Sequence, residues 1–201
     1  ELELLHLDGD DTLEILAANK YGAVEIFNAD GQQLRGPYSE LGDVEMAIGD
    51  MNEDGKPEIA NGSSTGALTV QSFGEDNLYQ FPNYGFGVRQ VLMADLAGDD
   101  GDELIVGSET GYVYLLGVDG AVVSQHNFGD TVNDLATVTF ADTLVIAAAC
   151  DDGVVYLMGG DAELSGRFGL GESVRLVASL RTAGGEALVA AKAGTVSLRG
   201  R

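Results

Sequence analysis

Apolar residues alternate with polar or aromatic residues along most of the chain, in short runs bounded by glycine. Runs such as GAVEIF, GALTVQSF, GYVYLL, GVVYLM and GTVSL are typical of half-buried β-strands. Runs rich in small residues precede them, among them EILAAN, EIANGS and LVIAAAC. Turn pairs such as Asp30-Gly31 and Asp119-Gly120 separate the runs. The pattern predicts an all-β protein of short antiparallel strands.

The strand pattern repeats about every 40 to 45 residues. Glycines between two strand-like runs stand at Gly22, Gly66, Gly111, Gly153 and Gly194, at intervals of 44, 45, 42 and 41 residues. This period is typical of propeller blades and of helical repeats, and the strand periodicity favours the propeller. We therefore expect a β-propeller of four-stranded antiparallel blades. Five units are expected, spanning approximately 1–40, 41–85, 86–127, 128–167 and 168–201.

The fifth unit ends after its third predicted strand, at GTVSLRGR. Because the opening segment ELELL does not clearly supply a fourth strand, we expect these units to belong to a larger, about seven-bladed propeller. A closed five-bladed ring with an irregular last blade is the alternative.

The type of propeller is narrowed by composition. The chain has no tryptophan, so the Trp-Asp signature of WD40 blades is absent.

The charge of the chain excludes two classes of partner. With 33 acidic and 10 basic residues, the net charge of −23 would repel nucleic acid and anionic lipid. No apolar run approaches the roughly 20 residues that span a bilayer, so this segment is not expected to insert into a membrane. Two explanations of the acidity stay open: the protein binds divalent cations, or it is adapted to high salt.

The glycines that recur with the period of the repeat, Gly22, Gly66, Gly111, Gly153 and Gly194, are called marker glycines below. An acidic loop precedes the marker glycine of the second unit, Gly66. In GDMNEDGKPEI, oxygen donors occupy positions one, three, five, seven and nine, namely Asp50, Asn52, Asp54, the Lys56 carbonyl and Glu58. Hard oxygen donors in a flexible loop are what Ca²⁺ prefers. An EF-hand is excluded because Asn61 occupies the twelfth position and the flanking segments are strands. The spacing predicts a calcium loop, and an ordinary acidic turn is the alternative.

Two other units repeat this loop with changes. The third unit has Asp95, Asp99, the Gly101 carbonyl and Glu103, with Ala97 in place of one ligand. The first unit has Asp8, Asp10, the Thr12 carbonyl and Glu14, with His6 in place of the first aspartate. The fourth unit lacks the acidic positions, with Val145 in place of the glutamate, and the fifth has an acid-poor loop before Glu186. We therefore expect one to three structural Ca²⁺ ions.

A second motif accompanies the loops. The pairs Phe86-Gly87, Phe128-Gly129 and Phe168-Gly169 recur, with Leu41-Gly42 in the matching place of the second unit. The combined pattern is, in order, an FG pair, a strand, an acidic loop and a small-residue strand, and the loop has the form D-x-[DN]-x-D-G-x-x-[DE]. This order resembles the FG-GAP or VCBS repeat. That repeat forms the propeller of integrin α-subunits and occurs in secreted or surface microbial proteins. The resemblance implies a propeller whose Ca²⁺ ions are structural, and a protein located outside the cell or at its surface.

These observations favour a non-catalytic binding or adhesion module with a protein or glycan ligand on the propeller loops. The aromatic segment NLYQFPNYGFG offers contact residues for the ligand, Tyr79, Phe81 and Tyr84, and packing between blades is the other interpretation of this segment.

Two alternative functions stay open. The first is the propeller domain of a secreted polysaccharide-active enzyme. The only histidines are His6 and His126, and no nucleophile, base and acid set can be assembled from the sequence, so an enzyme is disfavoured. The second is an intracellular scaffold propeller, in which calcium loops of modest affinity would stay empty.

Overall fold

The computed structural model describes residues 2–7, 12–18, 23–39, 44–72, 77–98, 101–140, 143–182, 185–193 and 195–199. These residues contain nineteen strands and one short 3-10 helix, Asn83–Gly85. No described helix is long and apolar enough to cross a bilayer.

The strands form five antiparallel sheets, called blades 1 to 5 below. Blade 1 contains β1 (Leu2–Leu5), β2 (Glu14–Ala18), β3 (Ala23–Phe27) and β4 (Gln33–Ser39), and blade 2 contains β5 (Val44–Gly49), β6 (Glu58–Ser63), β7 (Leu68–Ser72) and β8 (Asn77–Phe81). Blade 3 contains β9 (Val88–Ala94), β10 (Glu103–Ser108), β11 (Tyr112–Leu116) and β12 (Val122–Asn127). Blade 4 contains β13 (Val132–Phe140), β14 (Thr143–Cys150), β15 (Val154–Met158) and β16 (Leu164–Gly169). Blade 5 contains β17 (Val174–Thr182), β18 (Gly185–Lys192) and β19 (Thr195–Arg199).

Within each blade, every strand pairs with the next strand in the sequence. In blade 2, for example, Ile48 is paired with Ile59, and Ile59 is paired with Gln71 on the other side. Blades 1 to 4 are four-stranded, as the sequence predicts, and blade 5 has three strands among the described residues. The local alternation of the sequence therefore produces simple meanders joined by short turns.

The first strands of successive blades lie next to one another. Strand β5 contacts β9, β9 contacts β13, and β13 contacts β17. The later strands of each blade follow outward in order, so the blades extend radially from these first strands. This is the architecture of a β-propeller.

The hydrophobic core consists of layers between blades. On β10, Leu104 and Val106 pack into the cluster shared with blade 2, whereas Ile105 between them packs into the cluster shared with blade 4. All three side chains are fully buried. Because successive strand residues point to opposite faces, a sheet covered on both faces needs a continuous apolar run, and ELIVGS supplies one.

Small residues on the second strands allow the next blade to approach closely. A side chain added at Gly62 on β6 would collide with Val88 of β9. One added at Gly107 on β10 would lie 3.1 Å from both Val132 and Leu135 of blade 4. The small-residue runs therefore serve close packing between sheets.

Three of the marker glycines lie within the described residues, and each joins its blade to the segment that leads into the next one. Gly66, Gly111 and Gly153 all have positive φ, at 96°, 87° and 84°. A Cβ on Gly66 would lie 2.8 Å from backbone atoms of Gly85 and Phe86, just before β9. The other two glycines meet the backbone before β13 and β17 in the same way. Glycine is therefore required by both backbone conformation and space.

Replacing Gly66 by alanine should destabilise the protein more than replacing Gly31, whose φ is 77° but whose Cβ would meet no atom within 4 Å. Left-handed backbone strain costs roughly 1–2 kcal/mol in both variants. Gly66→Ala should lose a further 1–3 kcal/mol, roughly, from the backbone collision. Urea unfolding of both variants measures this difference, and equal losses would contradict the proposed close approach.

Candidate functional site

The acidic loop of blade 2 lies between β5 and β6 and folds around its own amide groups. Asp50 accepts hydrogen bonds from the backbone N–H groups of Asp54 (3.1 Å, Oδ1) and Gly55 (2.9 Å, Oδ2). Asn52 Oδ1 accepts a second bond from the Asp54 N–H at 2.9 Å. Asp54 Oδ1 accepts the Lys56 N–H at 2.8 Å. The three short side chains thus converge on one turn of backbone.

Glu58 closes the same loop from inside the protein. Its side chain is fully buried. Oε2 accepts the Met51 N–H at 2.9 Å, while Oε1 accepts the Ser72 hydroxyl at 2.6 Å and the Asn52 amide at 3.3 Å. The carboxylate therefore joins the start of the loop to the third strand of the blade.

Burial is the largest influence on Glu58, and it raises the pKa of the carboxyl. Hydrogen bonds from Ser72 and Met51 lower that pKa, and the nearby charges of Asp54 and Asp50 raise it again. The net result is a pKa above the ordinary value of 4.5. Three like charges crowd this loop when no cation is bound.

The glutamate contact recurs in blades 1 and 3. Glu14 Oε2 accepts the Leu7 N–H at 2.8 Å, and Glu103 Oε2 accepts the Leu96 N–H at 2.9 Å. In each case the amide lies seven residues before the glutamate, as in blade 2. The sequence predicts these glutamates as ligands, whereas the structure shows that each one also closes the first loop of its blade.

The loop of blade 1 is described only in part. Asp8 and Asp10 lie outside the described residues. The Thr12 carbonyl oxygen, predicted as a ligand, lies 2.8 Å from His6 Nδ1 and accepts a hydrogen bond when that nitrogen carries the proton.

In blade 3, Asp99 lies outside the described residues. Asp95 Oδ1 accepts the Gly98 N–H at 2.5 Å. Gly101, the predicted carbonyl ligand, lies against blade 2, because a Cβ there would be 3.3 Å from the Met51 carbonyl oxygen. This loop therefore contacts its neighbour as well as folding on itself.

The blade 2 loop fits Ca²⁺ by donor chemistry. Asp50, Asn52 and Asp54 present hard oxygen atoms on one turn, and each carboxylate oxygen can accept more than one contact. Within the described part of the chain, no group of three or more histidine, cysteine, aspartate or glutamate side chains is gathered as a metal cluster. The predicted ligand set therefore stays a prediction, with Glu58 turned toward Met51 and Ser72.

Asp102 was not predicted from the sequence, and it joins two loops. Its Oδ2 accepts the Asp50 N–H at 3.0 Å, and its own N–H donates to the Asp50 carbonyl at 3.2 Å. Burial raises the pKa of Asp102, the Asp50 N–H lowers it, and the charges of Asp95 and Asp50 raise it. The partner lies 52 residues away. Local sequence pattern therefore gave no signal for this contact between blades.

Asp134, on the first strand of blade 4, was also missed, and it connects three blades. Its Oδ1 accepts the Gln90 side chain of blade 3 at 3.0 Å. Its Oδ2 accepts the Val177 N–H of blade 5 at 2.8 Å. Burial raises the pKa of Asp134, and these hydrogen bonds lower it. The carboxylate therefore stabilises the packing of the first strands.

The aromatic segment packs mainly between blades, which favours the second of the two interpretations of this segment. Phe81 is buried, with its ring centroid 5.2 Å from that of Tyr114 in blade 3. Tyr79 is half-buried, and its hydroxyl donates to the Gly117 carbonyl of blade 3 at 3.3 Å. The rings of Phe81 and Tyr79 thus fill the space between two blades, and the buried Phe81 is not accessible to a ligand. Tyr84 remains exposed, at 67%.

No protein-family model and no curated protein matches the chain. Solved structures do match it. A crystal structure of BBS1N in complex with ARL6DN, soaked with lead, has a TM-score of 0.75 and 19% identity, over 98% of this chain and 66% of that one. The computationally designed Ika8 protein has a TM-score of 0.70 and 18% identity, over 98% and 58%. The designed Ika4 protein has a TM-score of 0.64 and 16% identity, over 84% and 97%.

These structural matches and the five radial sheets define the class of the protein, which is an all-β propeller. The chain spans 66% and 58% of the lengths of BBS1N and Ika8. At such low identity, the likeness shows the fold alone.

The buried carboxyl of Glu58 should make stability depend on pH when metal is removed by chelator. Because its pKa is raised in the folded protein, the folded state binds the proton more tightly than the unfolded chain. The free energy of unfolding of the wild type should therefore rise, relative to Glu58→Gln, as the pH falls through the raised pKa toward 4.5. Urea unfolding across this range measures the difference.

The exposed residue Glu53 of the same loop provides the matched control. Wild type and Glu53→Gln should differ little over the same pH range. Parallel curves for wild type and Glu58→Gln would contradict the account of Glu58.

Proposed function

We propose that the protein is a non-catalytic interaction module, a calcium-stabilised propeller of the FG-GAP or VCBS type in a secreted or cell-surface protein. The observation that carries the proposal is the loop Asp50–Glu58, in which three of the predicted ligands, Asp50, Asn52 and Asp54, lie on one turn at the edge of a propeller blade. The ion would be structural, holding the loop between β5 and β6.

Calcium would relieve the charge crowding in this loop. Asp50 and Asp54 both raise the pKa of Glu58, so a bound cation would offset repulsion among the three carboxylates. Asp50, Asn52, Asp54 and the Lys56 carbonyl would bind the ion, with Glu58 as the remaining ligand. The loops of blades 3 and 1 would provide further sites, for one to three ions in total.

A calcium requirement supports a location outside the cell or at its surface. Extracellular modules bind Ca²⁺ with dissociation constants of roughly 10⁻⁴–10⁻³ M, and such sites fill only where free Ca²⁺ is high. In the blade 2 loop the oxygen donors are partly exposed and already accept hydrogen bonds from backbone amides. A site of modest affinity is therefore expected.

The solved structures support a protein as the partner. BBS1N, which shares the fold, was crystallised in complex with ARL6DN. Blades packed on both faces give a rigid scaffold, and rigid scaffolds present binding residues on their loops and edges. We infer that this propeller likewise binds a protein.

The partner is tested by affinity capture with the full chain, in excess Ca²⁺ and in chelator. The interaction function is supported if a captured protein, once purified, binds the chain saturably and with a measurable dissociation constant. A glycan array and a polysaccharide turnover assay with the same preparation test the other two classes. Turnover of a polysaccharide, or binding to glycans and to no protein, would overturn the proposal.

Asp54→Ala should remove the calcium site of blade 2. Addition of Ca²⁺ at about 100 times the dissociation constant should stabilise the wild type by about 2.7 kcal/mol through that site. Asp54→Ala should lose that gain, whereas Glu53→Ala, an exposed neighbour, should keep it. Calorimetric titration and the melting temperature measure both effects.

Potassium chloride at molar concentration, with Ca²⁺ saturating, separates calcium binding from high-salt adaptation. Stability that rises only with KCl favours salt adaptation. If Ca²⁺ gives no heat of binding and chelator leaves the melting temperature unchanged, the calcium proposal is wrong.

A further inference from the structure

Blades 2 and 3 show how an aromatic ring fills the space between two blade rims. Tyr79 on β8 reaches across to blade 3, where its hydroxyl donates to the Gly117 carbonyl at 3.3 Å. Burial raises the pKa of this hydroxyl, and the charges of Asp119 and Glu58 raise it further. A Cβ on Gly120 would lie 2.6 Å from the ring. Glycine at that position therefore makes room for the tyrosine.

The equivalent space between blades 3 and 4 is open. A groove of about 470 Å³ lies there, lined by Glu103, Gly159 and Asp161. These residues correspond to Glu58, Gly117 and Asp119 by their spacing from the marker glycines Gly66, Gly111 and Gly153. The groove therefore has the walls of the tyrosine site without the ring.

Two substitutions explain why this groove is open. Ser124 stands where blade 2 has Tyr79, because each is paired with the fourth residue after its marker glycine. Its short side chain reaches only the Gly160 carbonyl, at 3.0 Å. Ala162, at φ 64°, replaces the glycine that accommodates the tyrosine ring. His126 of blade 3 does reach blade 4 nearby, where its Nδ1 lies 3.1 Å from the Ala162 carbonyl oxygen, but it does not line the groove. Ser124, at the position of Tyr79, is too short to fill the groove as the tyrosine fills the other space.

A third substitution removes the polar contact between the loops. Leu144 directly precedes Val145, at the position where Asp102 precedes Glu103 in blade 3. A leucine side chain cannot accept an amide hydrogen bond as Asp102 does from Asp50. Leu144 instead lines the groove with Leu96 and Val123, and Val123 is 65% exposed. The groove thus has a largely apolar lining that also includes the acidic residues Glu103 and Asp161.

We propose that the groove between blades 3 and 4 binds an aromatic side chain of a partner protein, a tyrosine or similar ring flanked by basic residues. The aromatic ring follows from Tyr79, which fills the equivalent space within this chain. The basic flanks follow from Asp161 at the groove and from the net charge of −23. This inference rests on the proposed interaction function and names one surface for it.

The test uses a fluorescein-labelled peptide in which lysine, tyrosine and lysine are flanked by glycines, with an alanine-for-tyrosine peptide as its control. Fluorescence anisotropy with the full chain should show saturable binding of the first peptide and at least tenfold weaker binding of the second. Asp161→Asn keeps a side-chain acceptor for the Glu163 N–H and removes one charge. It should weaken binding severalfold and reduce its salt dependence.

A double variant, Ser124→Tyr with Ala162→Gly, should close the groove as Tyr79 and Gly120 do between blades 2 and 3. Peptide affinity should fall at least tenfold while the melting temperature is kept or raised. The opposite variant, Tyr79→Ser, opens the equivalent space between blades 2 and 3 and should add a second peptide site. These two changes move binding in opposite directions, so a general loss of folding cannot explain both.

The groove proposal is overturned if neither peptide binds, or if the closed variant binds the tyrosine peptide as well as the wild type does. The same closed variant separates this proposal from the general one. If a captured protein partner binds wild type and closed variant equally, the interaction function stands and the groove is not its site. If no protein binds the wild type, the interaction function itself is wrong.

Discussion

The first loops of blades 1, 2 and 3 depend on one interaction, a glutamate carboxylate that accepts the backbone N–H seven residues earlier. Glu14 and Glu58 are fully buried and Glu103 is half-buried. A hydrogen bond to a charged group contributes about 1.5–3 kcal/mol, and a buried carboxylate without one would be costly. This contact fixes where each loop begins. The contact thereby also sets the positions of the acidic residues that follow in the loop.

Carboxylates also make contacts between blades, some from these loops and some from the first strands. Asp102 of blade 3 accepts the Asp50 N–H of blade 2, and Asp134 accepts donors from blades 3 and 5. Between blades 3 and 4, Leu144 replaces the aspartate and the groove remains open. Some of the acidic residues therefore have a structural role, which adaptation to high salt alone would not explain. Carboxylates hold backbone amides both within blades and across them.

The fold could be predicted because it depends on local pattern. Strand alternation, the glycine period and the small-residue runs each report on one blade and its neighbours, and the propeller follows from their repetition. The site was less predictable. The sequence places Asp50, Asn52 and Asp54 on one loop, but it does not show that Glu58 points to Met51 and Ser72. Asp102 and Asp134 were missed because their partners lie in other blades, 52, 44 and 43 residues away.

The most direct test of the glutamate contact is amide hydrogen exchange, measured residue by residue by NMR with metal removed. The N–H groups of Leu7, Met51 and Leu96 should exchange far more slowly than the exposed loop amides of Asn52 and Glu53, because only the former donate to a buried or half-buried carboxylate. Replacing Glu58 by alanine should release the Met51 amide and leave those of Leu7 and Leu96 protected. Exchange of the three amides as fast as that of the exposed loop would contradict the account.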